Sequence, residues 1–172
     1  LAFSALCMSL LIMPGEAEVL TLTPTADTTL VSNSTQGASS KLKASGSQRP
    51  LVRFDLASLE AFAGAEIQSA WLELYVEELK DWPAAGRWLG AHRVTQDWSE
   101  PTASWSCASG STVCTSTWSG GSSLATASGT AEHRAGQTGW VRFDVTADLA
   151  AFRSQALNFG WMLRASDGAT AG

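Results

Sequence analysis

The sequence has little charge and few of the side chains that usually carry catalysis. Only 16% of its 172 residues are charged, and it contains two histidines and one tyrosine. Its net charge of −5 leaves no excess of basic residues to neutralise phosphates, so we expect no nucleic-acid partner. His92 and His133 occur in unrelated contexts, and no Gly-x-Ser-x-Gly motif is present. We therefore expect a protein that is not an enzyme, and we assign no catalytic residue.

The residues that are abundant indicate a secreted β-protein. Eight tryptophans and 15 glycines accompany many Ser, Thr and Ala residues. Aromatic residues favour sheets, and Gly, Ser and Asn favour the turns between strands.

The first thirteen residues form an uncharged, mostly apolar run, and small residues follow it. This pattern is typical of a signal peptide cut before Glu18. The run is too short to span a bilayer comfortably, so we expect no membrane insertion. We predict that residues 1–17 are a signal peptide lacking its start and that residues 18–172 are a single domain, secreted or at the cell surface. A buried core helix is the alternative interpretation of residues 1–13.

Cys107 and Cys114 remain after removal of this leader. They lie in a Ser/Gly/Thr-rich stretch without a neighbouring histidine, which makes a zinc site a poor interpretation. In an oxidising compartment we expect them to form a disulfide.

The tetrapeptide Val-Arg-Phe-Asp occurs twice, at residues 52–55 and 141–144. Each copy precedes a short segment that ends in Ala-Phe. Because strand side chains alternate, Val and Phe are predicted to face the core, and Arg and Asp to face outward. If the two strands are neighbours, their charged residues form a cross-strand ladder of Arg53, Asp55, Arg142 and Asp144.

Residues 66–77 show the clearest strand pattern. One predicted face carries Leu72, Leu74 and Val76, and the other carries Trp71, Glu73, Tyr75 and Glu77. Further strands are predicted within residues 19–31 (broken near Pro24), 41–43, 52–54, 88–94, 140–145 and 157–164.

Helix is predicted only at residues 147–153, with Thr146 as its hydroxyl cap. Residues 106–139 are predicted to form irregular hairpins held by Trp118 and the disulfide. These elements predict an all-β, jelly-roll-like antiparallel β-sandwich. A jelly roll needs one more strand after residue 172, so we expect the last strand to be missing and the domain to be truncated at its C-terminus.

A series of phrases in this order resembles the DNRLRE-type domains of carbohydrate-binding module family 96, which are secreted jelly-roll sandwiches. The phrases are Ala26–Leu30, Gly37–Leu42, Leu51–Leu56, Ile67–Tyr75, Arg93–Glu100, Ser104–Trp105, Trp140–Thr146 and Asn158–Gly160. The resemblance covers residues 20–167. It implies binding of an acidic polysaccharide such as alginate, often beside further domains of the same chain.

Basic residues are the first candidates for contact with such a ligand. Lys41, Lys43 and Arg49 lie close in sequence, and Arg93 is a later candidate. Arginine and lysine pair well with uronate carboxylates. The alternative is that Lys41 and Lys43 only protect an edge strand from pairing with another chain.

Exposed aromatic residues are the second set of candidates, because aromatic rings stack on the apolar faces of sugars. Trp71 and Tyr75 share the outward face of one strand, and Trp88 follows a turn. The other tryptophans considered are expected to be buried, namely Trp98, Trp105, Trp118, Trp140 and Trp161.

We expect no cofactor, although Asp27 is a candidate ligand for a structural calcium ion. The sequence thus predicts a secreted carbohydrate-binding module that targets an associated enzyme or surface protein to polysaccharide. The alternative is a structural or adhesion module of a cell-surface or filament protein, with an open sheet edge that accepts a strand from a neighbour.

Overall fold

The computed structural model describes residues 1–13, 18–32, 34–78, 85–110 and 112–166. These residues contain twelve strands, one α-helix and one 3₁₀-helix. The strands are β1 (Ala2–Met13), β2 (Glu18–Leu22), β3 (Pro24–Leu30), β4 (Leu42–Lys43), β5 (Arg49–Phe54), β6 (Glu66–Glu78), β7 (Arg87–Arg93), β8 (Cys107–Gly110), β9 (Cys114–Thr117), β10 (Gly129–His133), β11 (Gly139–Asp144) and β12 (Trp161–Ser166). The 3₁₀-helix is Ala57–Phe62, and α1 is Thr146–Arg153.

Ten of the twelve strands form two five-stranded antiparallel sheets, and β8 pairs with β9. In the first sheet the order is β11-β6-β1-β2, with β4 also paired to β1. In the second sheet the order is β10-β7-β12-β5-β3. Apolar residues of both sheets join in one buried cluster, which confirms the predicted all-β antiparallel sandwich. The jelly-roll assignment stays a prediction, as does a missing last strand, which would follow the described residues.

Period-two alternation explains how the two sheets share this core. Leu72, Leu74 and Val76 of β6 are fully buried. The two copies of the repeat supply Phe54 from the second sheet and Phe143 from the first, and both rings lie in the same cluster. The predicted inward faces of these strands are therefore confirmed.

Each repeat ends in an aspartate that holds the helical turn after it. Asp55 Oδ1 accepts the N–H of Ala57 at 2.9 Å, and Asp144 Oδ1 accepts the N–H of Thr146 at 2.9 Å. The Thr146 hydroxyl donates to Asp144 and accepts the N–H of Ala70. The prediction that Thr146 caps α1 is wrong, because Val145 is the N-cap residue and the Thr146 hydroxyl bonds Asp144 and Ala70.

The predicted charge ladder between the two repeats is also wrong. β5 belongs to the second sheet and β11 to the first, so their outward residues lie on opposite sides of the sandwich. Arg53 instead pairs with Asp97 at 2.7 Å and lies over the ring of Trp98.

The apolar run at the start of the chain is a strand inside the first sheet. β1 lies between β6 and β2, and Phe3, Met8, Leu10 and Ile12 are fully buried in the core. The alternative of a core helix is therefore wrong. Residues 14–17, just before the predicted cleavage point, lie outside the described residues, and removal of the leader stays a prediction.

The Ser/Thr/Gly-rich stretch folds back on the outer side of the second sheet. We call residues 95–128 the covering segment. A second apolar cluster joins this segment to the sheet. It is built from Ala26, Leu30, Leu51, Val94, Trp98, Ala103, Ala108 and Met162, and Trp105, Trp118 and Phe159 pack against the cluster. β8 and β9 form a hairpin in the segment, and the Cys107–Cys114 disulfide joins them, as predicted. Trp118 Nε1 donates to the carbonyl of Ser104 at 2.7 Å and helps to hold this region in place.

Candidate functional site

The outer side of the first sheet carries a row of aromatic and charged side chains. Because alternate residues of β6 and β11 fill the core, their neighbours point to the other side of the sheet. We call this set the open face; it consists of Trp71, Glu73, Tyr75 and Glu77 on β6, and Trp140, Arg142 and Asp144 on β11. The predicted outward face of β6 is thus confirmed.

Tyr75 and Trp140 form an aromatic pair on the open face. They are direct cross-strand partners, with ring centroids 5.5 Å apart and an interplanar angle of 79°. This edge-to-face arrangement is one that aromatic pairs prefer. Trp140 is 53% exposed, so the expectation that it is buried is wrong.

Arg142 lies beside this pair and is held by Glu73. Arg142 Nε donates to Glu73 Oε1 at 2.7 Å, and the arginine side chain is 66% exposed. The Glu73 carboxylate is buried and also accepts a hydrogen bond from the Ser9 hydroxyl of β1. Glu73 therefore holds the Nε side of an exposed guanidinium, a group that can donate further N–H bonds to a carboxylate.

The thiol of Cys7 lies near the same carboxylate. Its Sγ is 3.5 Å from Glu73 Oε2. Burial raises the pKa of Cys7, and the negative charge of Glu73 raises it further. The thiol therefore stays protonated at neutral pH and is a poor nucleophile there.

Of the predicted basic residues, Lys41 reaches the open face. Its Nζ is 2.7 Å from Oε2 of Glu77, the next outward residue after Tyr75 on β6. Lys43 lies on β4, opposite Ala2 of β1, and its side chain is exposed. The two lysines thus lie at the end of the first sheet where β4 pairs with β1.

Arg49 does not share a surface with these lysines, which corrects the predicted grouping. It starts β5 in the second sheet, and its guanidinium lies 4.6 Å from the centre of the Trp105 ring. It also donates to the carbonyl of Gly120. Burial lowers the pKa of Arg49, and the charge of Arg164 adds to that shift. Arg49 anchors the covering segment.

Trp88 and Arg93 also lie on the second sheet. Arg93 packs over Phe152 at 5.8 Å, and its Nη1 is 3.9 Å from Asp148 of α1. Trp88 is 36% exposed near the start of β7. Neither residue belongs to the open face, so the seven predicted ligand-binding residues do not form one site.

Trp140 and Arg142 are the site residues that sequence reasoning missed. The alternation that placed Val141 and Phe143 in the core already placed both of them outward. Residue type alone predicts that Trp140 is buried. The predicted ladder assigns Arg142 to pairing with the charged residues of the other repeat. Of the other tryptophans predicted to be buried, Trp98 and Trp161 are buried, and Trp105 and Trp118 are partly buried.

A concave cleft of about 570 Å³ lies elsewhere, between the 3₁₀-helix and α1. Asp55 and Glu60 contribute carboxylates to its lining. Arg153, its basic residue, donates to the carbonyls of Phe62, Ala63 and Ala65. This cleft is therefore a poor fit for a polyanion.

No group of three or more metal-ligating side chains comes together among the described residues. Asp27 has one acidic neighbour: its backbone N–H lies 3.4 Å from Oε1 of Glu100. Burial raises the pKa of Asp27, and the charge of Glu100 adds to the effect. Within the same part of the chain, no helix has the length and apolar character needed to cross a membrane.

No protein-family model matches this chain, and no curated protein or solved structure matches it significantly. The resemblance to the DNRLRE-type domains therefore stays a prediction from the sequence phrases.

Proposed function

We propose that this chain is a secreted, non-catalytic carbohydrate-binding module whose open face binds an acidic polysaccharide of the alginate type. The observation that carries the proposal is the placement of Arg142 between two exposed aromatic positions on a single sheet face. Trp71 lies on one side of it, and the Tyr75–Trp140 pair lies on the other.

The aromatic positions have a spacing that suits a chain of sugars. Trp71 and Tyr75 are four residues apart on β6, which corresponds to about 13 Å along a strand. The apolar C–H faces of sugar rings can pack on such side chains, and water is then released from both surfaces. We infer that an extended oligosaccharide lies along β6 and contacts both positions.

The charged residues supply a preference for uronates. Arg142 is the cross-strand partner of Glu73, midway between Trp71 and Tyr75 on β6. A sugar unit at this level would bring its carboxylate to the exposed guanidinium. Lys41 offers a second ammonium group near the end of the face.

The same contacts imply weak and salt-sensitive binding. Arg142 and Lys41 are already paired with Glu73 and Glu77. The ligand must therefore share these cations with protein carboxylates, and exposed pairs are screened by salt. Weak binding suits a module that keeps an attached enzyme or surface protein on polysaccharide while it still moves along it.

Two features support a position outside the cell. The Cys107–Cys114 disulfide is a bond that persists in oxidising compartments. The apolar run at the start of the chain has the composition of an export leader. We include secretion in the proposal for these reasons.

Matched pairs of variants test the proposal. Trp71 and Trp88 are each 36% exposed, but only Trp71 belongs to the open face. We expect Trp71→Ala to weaken alginate-oligosaccharide binding about tenfold, or about 1.4 kcal/mol, and Trp88→Ala to leave it unchanged. Isothermal titration calorimetry or affinity gel electrophoresis gives the comparison.

Arginines provide the second pair. Arg142→Ala should weaken binding to acidic oligosaccharides more than to neutral ones. Arg134→Ala should not, although the Arg134 side chain is similarly exposed at 62% and also pairs with a glutamate, Glu132. Equal losses of affinity in the open-face variants and in the controls Trp88→Ala and Arg134→Ala would count against binding at this face. An absence of binding to every acidic glycan tested would reject the function itself.

A further inference from the structure

β1 fills a slot in the first sheet, between β6 on one side and β2 and β4 on the other. Only a strand with a particular pattern of side chains can fit there. β1 pairs with β6 from Ala2 to Met13, and on its other side with β2 and β4. It is therefore an interior strand, hydrogen-bonded on both edges over much of its length. Without an occupant, the long strand β6 would present a row of unpaired N–H and C=O groups.

The inner side of the slot also needs large apolar side chains. Phe3, Met8, Leu10 and Ile12 have no exposed surface and belong to the core that both sheets share. On the outer side, Cys7 and Ser9 sit next to Glu73. The suitable occupant is thus a strand antiparallel to β6, with large apolar residues inward and small residues outward beside Glu73.

Export with removal of the leader would empty this slot, because the leader and β1 are the same residues. A sandwich that lost four fully buried side chains would have a cavity open to water, and proteins do not tolerate such gaps well. The processed domain would then need another strand of the same chemistry. Strand addition to a sheet edge is an established mode of peptide recognition.

We propose that the slot between β6 and β2 is a strand-acceptor site, filled after processing by an apolar strand of a second polypeptide. The inference rests on the export and leader removal contained in the proposed function. The occupant's chemistry follows from the segment that fills the slot in this chain. Such a site would attach the domain to a partner while the open face remains available for glycan.

The test keeps the whole chain until it has folded. A site-specific protease sequence replaces residues 14–17, and the folded protein is cut there, which leaves the first segment bound but no longer covalently joined. The nicked protein is unfolded in urea and refolded with a large excess of labelled peptide of residues 1–13, carrying a lysine tag for solubility. We expect native mass spectrometry to show most of the refolded protein with the labelled peptide in place of its own segment.

Two peptide variants examine the register. Met8→Asp with Leu10→Asp alters inward residues and should abolish incorporation. Cys7→Ser with Leu11→Gln alters outward residues and should retain it. Uncut protein, refolded in parallel, establishes the refolding conditions and should exclude the peptide.

The proposal is overturned if the uncut protein refolds but the nicked protein refolds without peptide or fails to refold with it. Exclusion of the peptide together with dimer formation would also overturn it, because two copies would then close the slot by pairing with each other and not by accepting an added strand. Alginate binding is measured on the same reconstituted protein. Peptide incorporation without alginate binding rejects only the proposed glycan ligand. Alginate binding by refolded protein that has not taken up the peptide rejects only the acceptor site.

Discussion

The two sheets of this sandwich share one core but differ in what lies on their outer sides. The covering segment packs on the second sheet and encloses a further apolar cluster. The open face of the first sheet leaves Trp140 and Arg142 in contact with solvent. One outward sheet face is thus covered by the chain itself, and the other is open to solvent.

The arginines show the difference most clearly. Arg49 and Arg53 on β5 pack over Trp105 and Trp98 of the covering segment. Arg142 on β11 has the same place in the repeat as Arg53, but its Nε pairs with Glu73 and its side chain is 66% exposed. An outward arginine on a strand is therefore a structural residue or a candidate ligand contact according to what packs above it.

The largest expected effect comes from substituting the same residue type on each side. Trp98 of the covering segment is 2% exposed, and its Nε1 donates to the carbonyl of Phe159 at 2.8 Å. We expect Trp98→Ala to lower the free energy of unfolding by about 3–5 kcal/mol, because it leaves a cavity and an unpaired carbonyl. Trp140→Ala should cost about 1 kcal/mol or less, mainly the contact with Tyr75.

Urea denaturation of both variants measures this comparison. Similar losses at the two positions would mean that the open face is as structural as the covered one. A small loss at Trp98 would mean that the covering segment contributes little to stability.

Much of the local structure could be predicted from alternation. The inward sides of β5, β6 and β11 followed from apolar residues at every second position, as Val52 with Phe54 and Leu72 with Leu74 illustrate. The hairpin disulfide followed from Cys107 and Cys114 in a loop-rich stretch. Each of these predictions uses contacts between near neighbours in sequence.

What could not be predicted depends on contacts between distant segments. Alternation does not say which strands are neighbours, so it could not show that the two repeats lie in opposite sheets. Nor does it show that residues 95–128 cover Arg49. β1 carries Leu11 outward as well as Leu10 and Ile12 inward, so its apolar residues are nearly continuous. In sequence it therefore looks like an export leader.

A pH-dependent effect is expected on the covered side. His92 is buried in β7, and its Nδ1 lies 3.0 Å from the carbonyl of Leu124 in the covering segment. Burial lowers the pKa of His92 below its ordinary 6.5; the Leu124 hydrogen bond opposes the shift, and the charges of Arg164 and Arg49 add to it. Between the lowered folded pKa and 6.5, the unfolded chain binds more protons, so stability falls as the pH is reduced through this range.

The measurement is the free energy of unfolding from pH 7.5 to 5. His92→Asn, whose amide nitrogen takes the position of Nδ1, should remove this part of the pH dependence. His133→Gln on β10 is the matched variant and should retain it. An unchanged slope in His92→Asn would show that protonation of this ring does not loosen the covering segment.

The smallest effect on stability is expected at the lysine end of the open face. Lys41 pairs with Glu77 at the surface, and exposed pairs contribute about 0–1 kcal/mol, so Lys41→Ala/Lys43→Ala should hardly change the unfolding curve. Binding to an alginate affinity gel should nevertheless weaken, and the loss should be greatest at low salt, where screening is least. If the lysines only protect the edge beside β1, the variant will bind normally but associate with itself, because removal of charge leaves β4 open to pairing. Gel mobility and light scattering on the same sample therefore separate a binding role from a protective one.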